Sequence, residues 1–161
     1  MVITVADVPK KCIESLLGRY GLNLVHEPSG AAITGSFWGD EEAGIVGLDV
    51  FARDDTPVHS LLHEACHSIC MTSERRARLH RDAGGDDLEE AAVCYLQILL
   101  ADELDGVGRD RLMRDMDTWG YSFRLGSAQR WFADDADDAC NWLIKRGLIS
   151  QAGEPTFRLR R

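Results

Sequence analysis

The chain has 161 residues, 45% of them apolar and 28% charged. That is the composition of one globular domain with a full core, and it excludes a disordered chain, a collagen and a coiled-coil rod. Eighteen basic residues against twenty-seven acidic ones leave a net charge of −9, the wrong sign for a protein whose main partner is nucleic acid. No apolar run reaches the roughly eighteen residues of a membrane span, the longest being residues 91–101 with Gln97 inside it. The first residues lack a basic stretch and a long apolar stretch, so no signal peptide is expected. The five cysteines are odd in number and show no CxxC spacing, which reads as reduced thiols in a cytoplasmic protein.

In chain order, Pro9 opens a first helix over residues 9–20, with Cys12, Ile13, Leu16 and Leu17 as its apolar stripe and Gly21 as its stop. Residues 22–26 alternate like a strand, and Pro28-Ser29-Gly30 turns the chain. Residues 31–38 and 44–51 read as two strands joined by a polar turn, an antiparallel hairpin. Thr56-Pro57 is a strong helix start, with Thr56 as N-cap, and the helix runs to about Met71 on a stripe of Val58, Leu61, Leu62, Ala65 and Ile69. A charged stretch and the breaker Gly84-Gly85 follow. Residues 88–103, opened by Asp86 and Asp87, form a helix that is apolar almost all round and so belongs at the centre of the core. Helices over about residues 109–119 and 133–146 complete the chain. The order predicts an α+β domain over residues 1–161, with a small antiparallel sheet in the N-terminal third and a mostly helical remainder.

His63-Glu64-Ala65-Cys66-His67 matches HExxH. On a helix, residues four apart lie on one face, so both imidazoles can grip one metal ion. Zn²⁺ suits nitrogen ligands with a position left open for water, one ion per chain being expected, although Mn²⁺, Fe²⁺ or Co²⁺ suit the same donors. Glu64 is placed to take a proton from a metal-activated water. A third ligand is needed, and His80, Asp86, Asp87, Glu89 and Glu90 are the downstream candidates. On a helical wheel Glu89 falls with Ala92, Val93, Leu96 and Leu100 on the packed side, and Glu90 falls with Gln97 on the more polar side. A carboxylate on a packed face is costly unless paired or bound to metal, which makes Glu89 the expected ligand and Glu90 the alternative.

HExxH followed by a glutamate on a second helix resembles the gluzincin arrangement of zinc metallopeptidases. The pattern is most similar to the ImmA/IrrE-type metallopeptidases, whose second motif is ExEANxFAxxLL. Here Glu89, Ala92, Tyr95, Leu99 and Leu100 match it, whereas Ala91 and Val93 stand in place of its second glutamate and asparagine, and Cys66 replaces the glycine usual before the second histidine. The resemblance covers about residues 57–100. It implies a zincin-like fold, Zn²⁺ on His63, His67 and Glu89, Glu64 as general base, and a peptide or protein substrate. It also implies that the strand pair 31–51 offers an edge to an extended peptide.

Other residues carry weaker signals. His59, one turn before His63, either lines the cleft or, more simply, lies on the surface. Cys66 and Cys70 read as small buried hydrophobes, with oxidation beside the metal face as the alternative. Tyr121 follows a break at Gly120 and is a candidate to polarise a carbonyl. The acidic run 134–138 reads as a first helical turn. Trp131, Phe132 and Trp142 read as packing aromatics. A catalytically silent metal-binding or protein-interaction domain is the alternative to a peptidase.

Overall fold

A computed structural model describes residues 1–161. After a short 3-10 turn at Val5–Asp7 come α1 (Lys10–Arg19), β1 (Asn23–His26), β2 (Gly44–Val46) and β3 (Asp49–Ala52). Six more helices follow the sheet, making seven in all: α2 (Val58–Cys70), α3 (Ser73–Ala77), α4 (Asp87–Leu100), α5 (Gly108–Trp119), α6 (Ala128–Asp134) and α7 (Asp137–Lys145). The α+β class is as expected, and the sheet does lie in the N-terminal third. No helix is long and apolar enough to cross a membrane.

The sheet differs from the expected antiparallel one. Its order is β1-β3-β2, with β1 parallel to β3 from Asn23↔Asp49 to His26↔Ala52, and β2 antiparallel to β3. Residues 44–51 are themselves the hairpin, turned at Gly47. Residues 31–38 form no strand. Gly35 takes a left-handed φ of 70°, which a pleated strand does not tolerate, and only Ser36 makes a bridge, to Gly44. The outer edge of β2 is already occupied: the Ile45 N–H donates to the Gly35 carbonyl, and the Arg81 N–H donates to the Ile45 carbonyl. An extended peptide therefore finds no free edge there.

Two helices position the site. In α2 every residue except His63 is buried, the polar ones included. Pro57, not Thr56, takes the N-cap position; the Thr56 hydroxyl instead accepts from the Arg53 N–H (2.9 Å) and closes the turn before the helix. In α4, Ala92, Val93, Leu96, Ile98 and Leu100 are fully buried against α2 and α7. The Asp86 carboxylate accepts from the Glu89 N–H (2.8 Å), the expected N-cap. The helix expected over residues 133–146 is α7, which starts only at Asp137; residues 133 and 134 end α6, which Ser127 caps, and the chain breaks at Asp135 between the two. Cys66 and Cys70 are buried without a disulfide.

Candidate metal centre

The HExxH spacing does on α2 what helix geometry requires. His63 and His67 stack edge to face, with ring centroids 4.7 Å apart and Nε2 atoms 3.1 Å apart. The carboxylate that meets them is Glu90, in the first turn of α4. Its Oε1 lies 3.0 Å from His63 Nε2 and its Oε2 3.0 Å from His67 Nε2. These three side chains form the group able to hold a metal ion.

Glu89, the expected ligand, is elsewhere. Its side chain is 5% exposed and accepts from Arg75 through both oxygens at 2.8 Å and from Arg160 at 3.1 Å. The premise that a carboxylate on the packed face must be compensated was correct, but two arginines compensate it rather than an ion. Glu90, on the polar stripe, is the half-exposed one, at 50%. That stripe faces the His63 and His67 rings.

The donor set fits a divalent cation. Two imidazole nitrogens about 2.0–2.1 Å from a tetrahedral ion stand roughly 3.3 Å apart, close to the 3.1 Å between these two. The His63 tautomer is also suitable. Gln97 Nε2 donates to the His59 carbonyl (3.1 Å), which leaves Gln97 Oε1 as the acceptor from His63 Nδ1–H at 2.7 Å. His63 Nε2 then carries a lone pair for the ion. His67 Nδ1 is buried without a partner, so the only polar contacts of this ring are at Nε2, on the side of Glu90 and His63. Two imidazoles and one carboxylate leave coordination positions free, the pattern of catalytic rather than structural zinc.

The electrostatics follow from burial among these partners. Burial alone would raise the Glu90 carboxyl, but the His63 and His67 rings 3.0 Å away, in their protonated forms, outweigh it and hold it well below the ordinary carboxylate range. Glu64 is 6% exposed; burial raises its carboxyl above the ordinary value, and the His67 and His63 rings oppose that rise. Glu64 lines the cleft on both sides of the His63 ring.

His59 is not a surface residue. It is 1% exposed, its Nδ1 lies 3.2 Å from the Tyr121 hydroxyl, and its ring packs between Trp119 and Tyr121. Burial pushes its imidazole down to about 4, so it is neutral at pH 7. Tyr121 packs edge-on against His63 and lines the same cleft, and burial raises its phenol to about 12. Gln97 was the one functional position that sequence reasoning passed over on α4, although it shares Glu90's stripe seven residues on. A polar residue inside an otherwise apolar helix was the available signal.

No protein-family model matches the chain, and no curated protein or solved structure does.

Proposed function

We propose that this protein is a metal-dependent hydrolase, a peptidase by reaction class, with a zincin-like arrangement of its two central helices. The observation that carries the reading is the meeting of His63, His67 and Glu90 around one point, with Glu64 beside them in an open cleft. The resemblance of residues 57–100 to the ImmA/IrrE-type metallopeptidases supports it, with the carboxylate ligand moved from Glu89 to Glu90. His63, His67 and Glu90 would hold the ion, and Zn²⁺ suits that donor set. A bound Zn²⁺ supplies Lewis acidity, bringing the pKa of water down to about 7 and polarising a carbonyl.

The chain's own groups do the rest. Glu64 accepts a proton from the attacking water; the raised carboxyl pKa that burial imposes makes it a better base than an exposed glutamate. It then returns that proton to the departing amine. Tyr121 offers a phenol O–H to the oxygen on which charge develops, and the neutral His59 holds that hydroxyl in place. Gln97 keeps His63 in the tautomer that binds the ion. The five free cysteines support a cytoplasmic location.

The test is metal content per chain by plasma mass spectrometry, on protein purified without chelator or histidine tag. About one zinc per chain is expected in the wild type and in Glu89→Ala, with loss in His67→Ala and Glu90→Ala. Glu64→Gln should keep the zinc and abolish hydrolysis of a peptide library. No zinc in the wild type after zinc is added back removes the proposal. Zinc without hydrolysis in the wild type leaves a catalytically silent metal-binding domain.

A further inference from the structure

The cleft at the candidate metal centre has two compartments, and they share Trp38, His63, Glu64 and Glu90. The smaller, about 200 Å³, extends past Phe37 toward Arg81 and Asp82. The larger, about 400 Å³, extends between Trp38, Trp119 and Tyr121. Three large aromatic side chains of the chain are exposed: Trp38 at 71%, Phe37 at 52% and, least, Trp119 at 38%. All three line this cleft. Exposed aromatic surface that gathers in one place, beside buried ionisable groups, marks a surface meant to be covered.

The Trp119 wall is anchored by its side chain, and the Trp38 wall by its backbone. Trp119 Nε1 donates to Glu42 Oε1 (2.6 Å), and the other Glu42 oxygen accepts from the Ser60 hydroxyl. The Ser60 oxygen in turn accepts from the Ala43 N–H (2.9 Å), and Ser60 stands one turn before His63 on α2. On the opposite wall, Phe37 and Trp38 meet edge to face just after Ser36, which is bridged to Gly44 of β2. Both walls are thus tied to the elements that carry the candidate ligands.

The lining also discriminates by charge. Glu42, Glu64 and Glu90 line the larger compartment and no lysine or arginine does, so an acidic side chain is disfavoured there away from the proposed ion. A cationic side chain finds two of the three carboxylates already engaged. Both oxygens of Glu42 are taken and Glu90 is bound to the two histidines, which leaves only Glu64, 6% exposed and the base of the proposed reaction. An uncharged aromatic side chain meets the rings of Trp38, Trp119 and Tyr121, and the compartment has the volume for one.

We infer that the larger compartment is a specificity site for an aromatic side chain next to the scissile bond, with Trp38 and Trp119 as its specificity-determining residues. This rests on the metallohydrolase reading above, and the test separates the two. Zinc-loaded full-length protein is titrated calorimetrically with acetohydroxamate and with the N-acetyl hydroxamates of alanine, phenylalanine, lysine and glutamate. The hydroxamate group reports the metal, and the side chain reports the compartment. The phenylalanine compound should bind about tenfold or more tighter than the alanine compound, and the glutamate compound weakest of all. In Trp38→Ala and in Trp119→Ala the phenylalanine-to-alanine ratio should fall to about threefold or less, whereas Leu48→Ala, an exposed apolar change outside the cleft, should leave it unaltered. Trp38 projects into solvent, so its replacement spares the core and keeps the test valid if Trp119→Ala fails to fold. Acetohydroxamate binding with no preference for phenylalanine, or with lysine tightest, overturns the inference and leaves the metal centre standing. No zinc-dependent binding of acetohydroxamate overturns both.

Discussion

Glu89 and Glu90 are neighbours with the same functional group, and their environments give them opposite tasks. Glu89 is enclosed by Arg75 and Arg160 and is an ion-pair anchor; Glu90 is half-exposed and meets two imidazoles. The HExxH face was legible in the sequence because a four-residue spacing on a helix is local geometry. The choice between the glutamates was not, because it depends on Arg160, 71 residues away, and on the side of α4 that α2 covers. The helical wheel puts Glu90 and Gln97 together on the more polar stripe of α4, and that stripe faces the site. Gln97 offers a sharp check at this scale. Replacing it with Leu removes the acceptor for His63 Nδ1–H and frees the other tautomer. Zinc affinity, measured by competition with a chromophoric chelator, should fall about 10–100-fold while circular dichroism stays unchanged. An unaltered affinity would mean that packing alone orients His63.

At the level of elements, the site depends on how the start of α4 is held against the end of α2. Arg75 follows α2 closely in the chain and bonds both Glu89 and the Ala83 carbonyl (2.7 Å). Gly85 makes this possible: its φ is 94°, and a side chain there would collide with the Glu89 carboxylate. Arg160 reaches the same carboxylate and also donates to the Cys70 carbonyl (3.0 Å) at the end of α2. The clamp thus fixes Glu90 through its neighbour. Glu89→Gln removes a buried charge from between two cations and should cost about 3 kcal/mol of unfolding free energy by urea denaturation. Zinc stoichiometry should stay at about one per chain, since no ligand is lost. Loss of zinc at full occupancy of the folded state would make Glu89 a ligand after all. Both clamped helices were visible in advance through Asp86, Pro57 and their apolar runs. The mixed sheet was not: four-residue strands carry little periodicity, and nothing in residues 23–26 announces a parallel partner at residues 49–52. Gly35 did carry a signal against the strand expected over residues 31–38, since glycine inside such a run marks a bend.

Over the whole molecule, an ion at the proposed metal site would tie together parts of the fold that are distant in the chain. α2 supplies two donors and α4 the third, and these two helices also pack most extensively on each other. An ion held by both binds the folded chain and not the unfolded one, so it must stabilise the fold by mass action. At a free zinc concentration one hundred times the dissociation constant the gain is about 2.7 kcal/mol, which for a chain of this length raises the melting temperature by roughly 5–10 °C. The sign of the pH dependence follows from proton competition. Both imidazoles must be neutral to bind, so the zinc-dependent increment is lost as falling pH protonates them; burial lowers the His63 imidazole, but Tyr121, Cys94 and Glu90 outweigh burial and hold it well above the ordinary value, so the loss begins on the alkaline side of that value. Differential scanning calorimetry with and without zinc, at pH 7.5 and at pH 5, reads this directly. The increment should be present at pH 7.5, nearly absent at pH 5, and absent at both in Glu90→Ala. An increment that survives at pH 5, or one that Glu90→Ala retains, would place the bound ion on other donors and detach the stability of the molecule from the junction of α2 and α4.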